Sequence, residues 1–155
     1  MHNKKVRASL GFSLIELIVV IVVMAVLVGV AVPRFFGKAD FEAPAFAQEL
    51  ASAARYAQKL AVVSGCPVDL AVSTSGYALF QSQQATPACT GAMTLAVKHP
   101  ATGEAFAASA PSGIALGGAA TIRFSAAGIP NAAADFTVVD RHVTVGAGSG
   151  YVEVQ

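Results

Sequence analysis

Glu16 is the one ionisable side chain between Phe12 and Val32, a run of 21 residues. A carboxylate there costs roughly 2.5–3.5 kcal/mol at the centre of a bilayer and less near an interface, so it calls for a partner or a task. Phe12 stands four residues earlier, about one helical turn away. Cutting the chain between Gly11 and Phe12 would free an α-amino group about 6 Å along the helix axis from that carboxylate. The available chemistry is therefore cleavage followed by ion pairing. The pair could form within one helix, or between the carboxylate of one copy and the amino terminus of its neighbour in a bundle.

Cys66 and Cys89 are the only cysteines. An even number in a domain facing an oxidising compartment fits a disulfide, worth on the order of 3 kcal/mol for a loop of this length. Two buried thiols are the alternative. A metal site is not expected, because neither cysteine has a Cys or His at ligand spacing.

The other polar residues form no catalytic constellation. His2 lies near the start, His99 precedes a proline turn and His142 sits in an alternating stretch. Gly146–Gly150 lacks the Lys-Ser/Thr ending of a phosphate loop and leads into a strand-like segment. Asp69, Glu104, Asp135 and Asp140 are scattered, with no calcium-loop spacing. The expectation is a non-enzyme with no cofactor and no small-molecule substrate.

The elements that must position these residues begin with the apolar run. As a helix, its 21 residues span about 31 Å, against a hydrocarbon core of about 30 Å. Lys4, Lys5 and Arg7 precede it, and Pro33 and Arg34 close it. The basic bias puts the N-terminal end in the cytoplasm and the rest of the chain on the opposite side. An ordinary signal peptide, cut after Gly29-Val30-Ala31, is disfavoured by the run's length and by Pro33 just beyond that site. An unprocessed anchor would explain neither Gly11 before Phe12 nor Glu16. Pro33 should bend or loosen the helix, since it removes one backbone hydrogen bond.

The 155 residues allow one modest domain beyond the span. Ten Lys/Arg face nine Asp/Glu, and three of the ten precede Phe12, which leaves seven against nine, a formal −2. No basic excess marks a nucleic-acid surface, so such a partner is not expected.

Phe41–Ser64 reads as an amphipathic helix. Phe46, Leu50, Ala53, Ala54, Ala57, Leu60 and Ala61 recur at three- and four-residue spacing, Pro44 fits a first turn and Gly65 a stop. After Gly65 the period changes to two. Val68, Leu70 and Val72 alternate with Asp69, Ala71 and Ser73, and Thr74-Ser75-Gly76 turns the chain into Tyr77–Gln81, giving a hairpin. A third strand is expected over Thr94–His99. Short strands follow at Glu104–Ala107, Gly113–Leu116, Thr121–Ser125, Phe136–Val139, His142–Val145 and Tyr151–Val154. Tyr77, Phe80, Phe106, Phe124, Phe136 and Tyr151 are expected in the core. The fold class is α+β: a long N-terminal helix, membrane-spanning in its first half and amphipathic in its second, packed on an antiparallel β domain.

Gly11-Phe12-Ser13-Leu14-Ile15-Glu16-Leu17 closely resembles the prepilin cleavage and methylation motif of type IV pilins and type II secretion pseudopilins. The resemblance implies a leader at 1–11, removed by a prepilin peptidase after Gly11, and N-methylation of Phe12. It also implies an assembly role for Glu16, a transmembrane and assembly helix over 12–36, and a periplasmic domain with the pilin fold over 37–155. Arg55-Tyr56-Ala57-Gln58-Lys59-Leu60-Ala61 with Ser64-Gly65, Phe124–Pro130 and Gly148-Ser149-Gly150-Tyr151-Val152 resemble the GspH/FimT group of minor pilins. Pro33-Arg34-Phe35-Phe36 taken with Arg55–Gly65 is also similar to MshC-like minor pilins of mannose-sensitive haemagglutinin systems. The implied partners are the peptidase, the inner membrane and the other pilins of a filament. Two competing expectations are a DNA-binding minor pilin, for which Arg123 and Arg141 are the late basic candidates, and a stand-alone anchored binding domain.

Overall fold

The computed structural model describes residues 13–35, 38–83 and 89–155, with side chains described over 13–28, 41–83 and 89–155. The chain divides into two units, Met1–Gly37 and Lys38–Gln155. The first holds helix α1 (Leu14–Phe35). Ser13 opens it, its carbonyl accepting from the Glu16 and Leu17 N–H groups at 3.0 and 3.2 Å. Every described side chain of α1 is exposed, including Leu14, Ile15, Leu17, Ile21 and Leu27. A helix apolar all round has no polar face to give to water, so its stable surroundings are lipid or other helices. Among the described residues no helix is long and apolar enough to cross a membrane. The match to bilayer thickness belongs to the sequence run from Phe12 to Val32, both ends of which lie beyond the described side chains. Gly11 and Phe12 are outside the described residues, and so is the side chain of Pro33.

The second unit opens with helix α2 (Lys38–Ser64). It starts three residues earlier than its periodicity indicates, so Pro44 lies inside the helix rather than in its first turn. Its buried face is made of Phe46 and Leu50 among alanines: Ala47, Ala51, Ala53, Ala54, Ala57 and Ala61 have no exposed surface. Side chains this short let the helix axis approach the strands closely. Helix propensity adds to this, alanine being the best helix former.

Two antiparallel sheets receive that face. The first joins β1 (Val68–Ser73), β2 (Gly76–Ser82), β3 (Met93–Ala96), β4 (Ala107–Ser109) and β6 (Ala120–Phe124) in the order β3-β2-β1-β6, with β4 also on β2. The second runs β5-β7-β8-β9, from β5 (Leu116–Gly117), β7 (Ala134–Val138), β8 (Arg141–Val145) and β9 (Val152–Val154). α2 touches strands of both. Register builds the core row by row. Leu79, Leu70 and Ile122 align across three strands of the first sheet, while Phe136 faces Val143 and Val145 faces Val152 in the second. All of these are buried, and burying each is worth about 1.5–3 kcal/mol before entropy is counted.

The α+β class and the first hairpin are as the alternation predicts. Between Thr94 and Ser112 the strands differ. β3 ends at Ala96 and β4 starts at Ala107, joined by a turn in which His99 N–H donates to the Glu104 carbonyl at 2.7 Å. β3 and β4 share one edge of β2, each covering one end of it. Among the six aromatics, Phe124, Phe136 and Tyr77 are core, Phe106 is partly buried against it, and Phe80 is half-buried outside it, because it pairs with Asp69 on the outward phase of the first sheet. Tyr151 is 67% exposed, because it lies just before β9 and outside the inward alternation.

Candidate functional site

Glu16 sits in the first turn of α1 and is exposed. Among the described residues no basic group forms an ion pair with it. An acidic residue at a helix N-terminus is favoured by the helix dipole, by about 0.3–1 kcal/mol at an exposed position. That is less than the cost of burying a carboxylate in lipid, so the dipole alone would not offset placing Glu16 there.

The second unit gathers three separated segments at one place. From α2, the Gln58 side-chain amide donates to the Gly128 carbonyl at 2.9 Å and to the Ser149 carbonyl at 2.8 Å. One turn earlier, Arg55 Nη2 donates to the Val152 carbonyl at 3.0 Å. Gly128 follows β6 of the first sheet, and Ser149 precedes β9 of the second. One amide therefore ties the helix to a loop from each sheet. Both glycines near it are in the left-handed region, Gly128 at φ 75° and Gly150 at φ 65°. A Cβ on Gly150 would come 2.5 Å from Gln58 Nε2 and 2.9 Å from the Gly128 carbonyl oxygen. A side chain at that position would displace the clamp.

Asp69 is placed on the outward phase of β1 by alternation, yet it is only 5% exposed. Arg123, directly opposite on β6, covers it. Nε and Nη2 donate to Oδ1 and Oδ2, each at 2.7 Å. The fork matches guanidinium to carboxylate geometry and raises the Arg123 pKa further, through the hydrogen bonds and then the charge of Asp69. Arg123 is thus paired across the sheet while its side chain stays half in solvent, and its backbone is capped by Asn131 on the outer edge of β6. Tyr77 donates its hydroxyl to Glu49 Oε1 of α2 at 2.9 Å. Burial first, then that bond and the carboxylate's charge, push its pKa well above the ordinary phenol value.

His142 and Asp135, on adjacent strands, lie 3.0 Å apart on the exposed face of the second sheet. His99 rests against Phe106 with ring centroids 4.7 Å apart. Among the described residues no group of His, Cys, Asp and Glu side chains is arranged to hold a metal ion. The two cysteines form a disulfide, with Cα atoms 5.4 Å apart. It pins the segment before β3 to the end of α2 and start of β1, and cross-links of this loop length are worth about 3 kcal/mol.

Sequence reasoning singled out Glu16 and the cysteines, but not Gln58, Asp69 or the Tyr77–Glu49 bond as working residues. A signal for Asp69 was present: a lone acid in an otherwise apolar strand-like run, with a lone Arg in a later one.

Comparison with known proteins covers both units. A family model described as type II transport protein GspH matches residues 47–154. A second, the prokaryotic N-terminal methylation motif, matches residues 6–32. Two crystal structures of the type IV minor pilin FimU from Pseudomonas aeruginosa (strain PAO1) are similar in fold. The P65 form aligns with TM-score 0.53 at 12% identity, over 72% of this chain and 91% of that one. The P21 form aligns with TM-score 0.52 at 13% identity, over 74% and 88%. No curated protein sequence matches.

Proposed function

The chain belongs to the GspH family of type II transport proteins, and on that premise we propose that it is a minor pilin or pseudopilin, a structural subunit of a type IV pilus or type II secretion filament. The observation that carries this reading is the methylation motif at residues 6–32 on the same chain as a GspH domain. Within that motif Gly11, Phe12 and Glu16 have the cleavage and pairing chemistry described above.

A prepilin peptidase cuts after Gly11, and Phe12 becomes the N-methylated first residue. The apolar run from Phe12 to Val32 holds the processed chain in the inner membrane, with the Lys38–Gln155 unit on the periplasmic side. On assembly, helices of neighbouring subunits replace lipid around α1, whose described side chains are exposed throughout. The Glu16 carboxylate then meets the amino terminus of an adjacent copy or sibling pilin. In low-dielectric surroundings that attraction is stronger than in water, and a carboxylate left unmatched is penalised. The pair therefore selects axial register as well as contributing affinity. Pro33 loosens the end of this helix, and we place the subunit at the filament tip or in initiation, a reading that the resemblance to minor pilins supports.

Of the two late basic candidates for a DNA-binding role, Arg123 is forked to Asp69 and Arg141 lies 3.8 Å from Asp140, so both are set beside a carboxylate, and neither marks a basic surface. Mass spectrometry of the membrane-extracted protein should find a chain that begins at N-methylated Phe12. An intact Met1 would overturn the processing step. Glu16→Ala should insert and be cleaved normally but be depleted from sheared filaments; normal incorporation would overturn the pairing step.

A further inference from the structure

We propose that a cleft between α2 and the turn joining β3 to β4 receives an arginine side chain presented by another protein chain. The cleft has a volume of about 340 Å³ and lies wholly within the second unit. Glu49 of α2 and Glu104 of the turn bring two carboxylates to it, and no lysine or arginine lines it.

The hydrogen-bond inventory makes an argument independent of charge. The Tyr77 hydroxyl gives its one proton to Glu49, at 2.9 Å. The Ser52 hydroxyl gives its proton to the Gln48 carbonyl, at 2.8 Å. A hydroxyl has one donor and two acceptor lone pairs, so both oxygens have only acceptor capacity left. The Thr102 hydroxyl accepts from the Glu104 N–H at 3.4 Å and keeps its own proton as a donor, but with the two carboxylates acceptors still outnumber donors along the wall. His99 accepts at Nδ1 from the Ala101 N–H at 3.2 Å, which leaves Nε2–H as its single donor. Tyr77 is 5% exposed, and its phenol is held neutral, so its proton stays on the Glu49 bond. The matching occupant carries positive charge and several donors.

The aromatic side of the cleft selects the shape of that cation. Phe106 stacks on Tyr56 with centroids 4.9 Å apart and planes 24° from parallel, and on its other contact meets the His99 ring. A planar, weakly hydrated guanidinium stacks on such rings while forking to carboxylates; a compact ammonium does neither as well. Glu49 and Glu104 are exposed, so a charged tip on a long stem reaches them from outside. Supply of that side chain by a neighbouring subunit rests on the filament reading, whereas the chemistry of the cleft does not.

The test uses the full-length chain in detergent micelles, titrated with an N-acetylated, C-amidated Gly-Arg-Gly peptide and with its lysine and citrulline counterparts. Binding is followed by NMR at the Tyr77, His99 and Phe106 rings. The arginine peptide should saturate these shifts. Glu49→Gln, which keeps an acceptor for Tyr77, and Glu104→Gln should each weaken binding about fivefold, the scale of one exposed ion pair. Absence of saturable shifts, or equal binding of citrulline, overturns the site. Equal binding of lysine overturns the choice of guanidinium, and binding of free arginine but not of the peptide overturns the protein-borne occupant. None of these readouts depends on cleavage at Gly11 or on Glu16, so failure here and failure of the filament reading are separable.

Discussion

Replacing Gln58 should reveal how much of the second unit's stability runs through a single amide. Gln58 donates one proton to the Gly128 carbonyl and the other to the Ser149 carbonyl. In Gln58→Ala the Ser149 oxygen, at an exposed site, is rehydrated, and the net loss there is about 1 kcal/mol. The Gly128 carbonyl is less accessible, since its bond to Gln58 is part-buried and Gly128 itself is buried. Leaving that acceptor partly unsatisfied costs about 1–2 kcal/mol. The expected sum is about 2–3 kcal/mol, a large share of the 5–15 kcal/mol that typical domains possess.

Gln58→Glu discriminates this account from one of simple packing. It keeps the side chain's shape but sets carboxylate oxygens against two carbonyl oxygens, so it should be less stable than Gln58→Ala. Urea unfolding of the full-length chain in micelles, followed by far-ultraviolet circular dichroism and tyrosine fluorescence, gives both values. A Gln58→Glu variant as stable as Gln58→Ala, or more so, would refute the clamp.

Arg123→Ala leaves the Asp69 carboxylate, whose side chain is 7% exposed, without its fork; discounted for a guanidinium that is itself half in solvent, the loss should be about 1–2 kcal/mol in urea unfolding. Arg123→Lys should recover only part of it, because an ammonium cannot bond both oxygens in parallel. Tyr77 has a raised folded-state pKa, so the unfolded chain releases this proton first. Its contribution is therefore present below about pH 10 and lost as pH rises beyond it. Tyr77→Phe should be less stable at neutral pH and show a shallower alkaline decline, measured by unfolding between pH 8 and pH 11. Val139, at the tip of the β7–β8 hairpin, is 62% exposed and adopts φ 60°, a region that disfavours a β-branched residue. Val139→Gly should raise the unfolding midpoint by the equivalent of about 1 kcal/mol.

The first sheet and α2 were legible because each buries one face over many residues, which imposes a period on the sequence. Val68, Leu70 and Val72 at period two, and Phe46, Leu50, Ala53/Ala54 and Ala57 at helical spacing, are such records. The stretch from Thr94 to Ser112 was less legible. β3 and β4 are short, mostly exposed and placed end to end along β2, so neither leaves a periodic signature. Tyr151 was misplaced because a lone aromatic next to a three-residue strand has no neighbours to fix its phase. Asp69 was read as outward-facing because alternation knows nothing of the residue opposite. Its burial comes from Arg123, 54 positions away.

By itself the sequence determined what local spacing can carry. It set the apolar run with Gly11, Phe12 and Glu16 at its head, the change of period at Gly65, and an even pair of cysteines. These depend on neighbours a turn or a strand away, so a linear reading captures them. The tertiary structure alone decided which distant groups meet. It brought Gln58 to Gly128 and Ser149, Tyr77 to Glu49, and Arg123 to Asp69, and it opened the acceptor-lined cleft beside Phe106. Strand register and helix approach set those pairings, and both follow from the packing of all strands together.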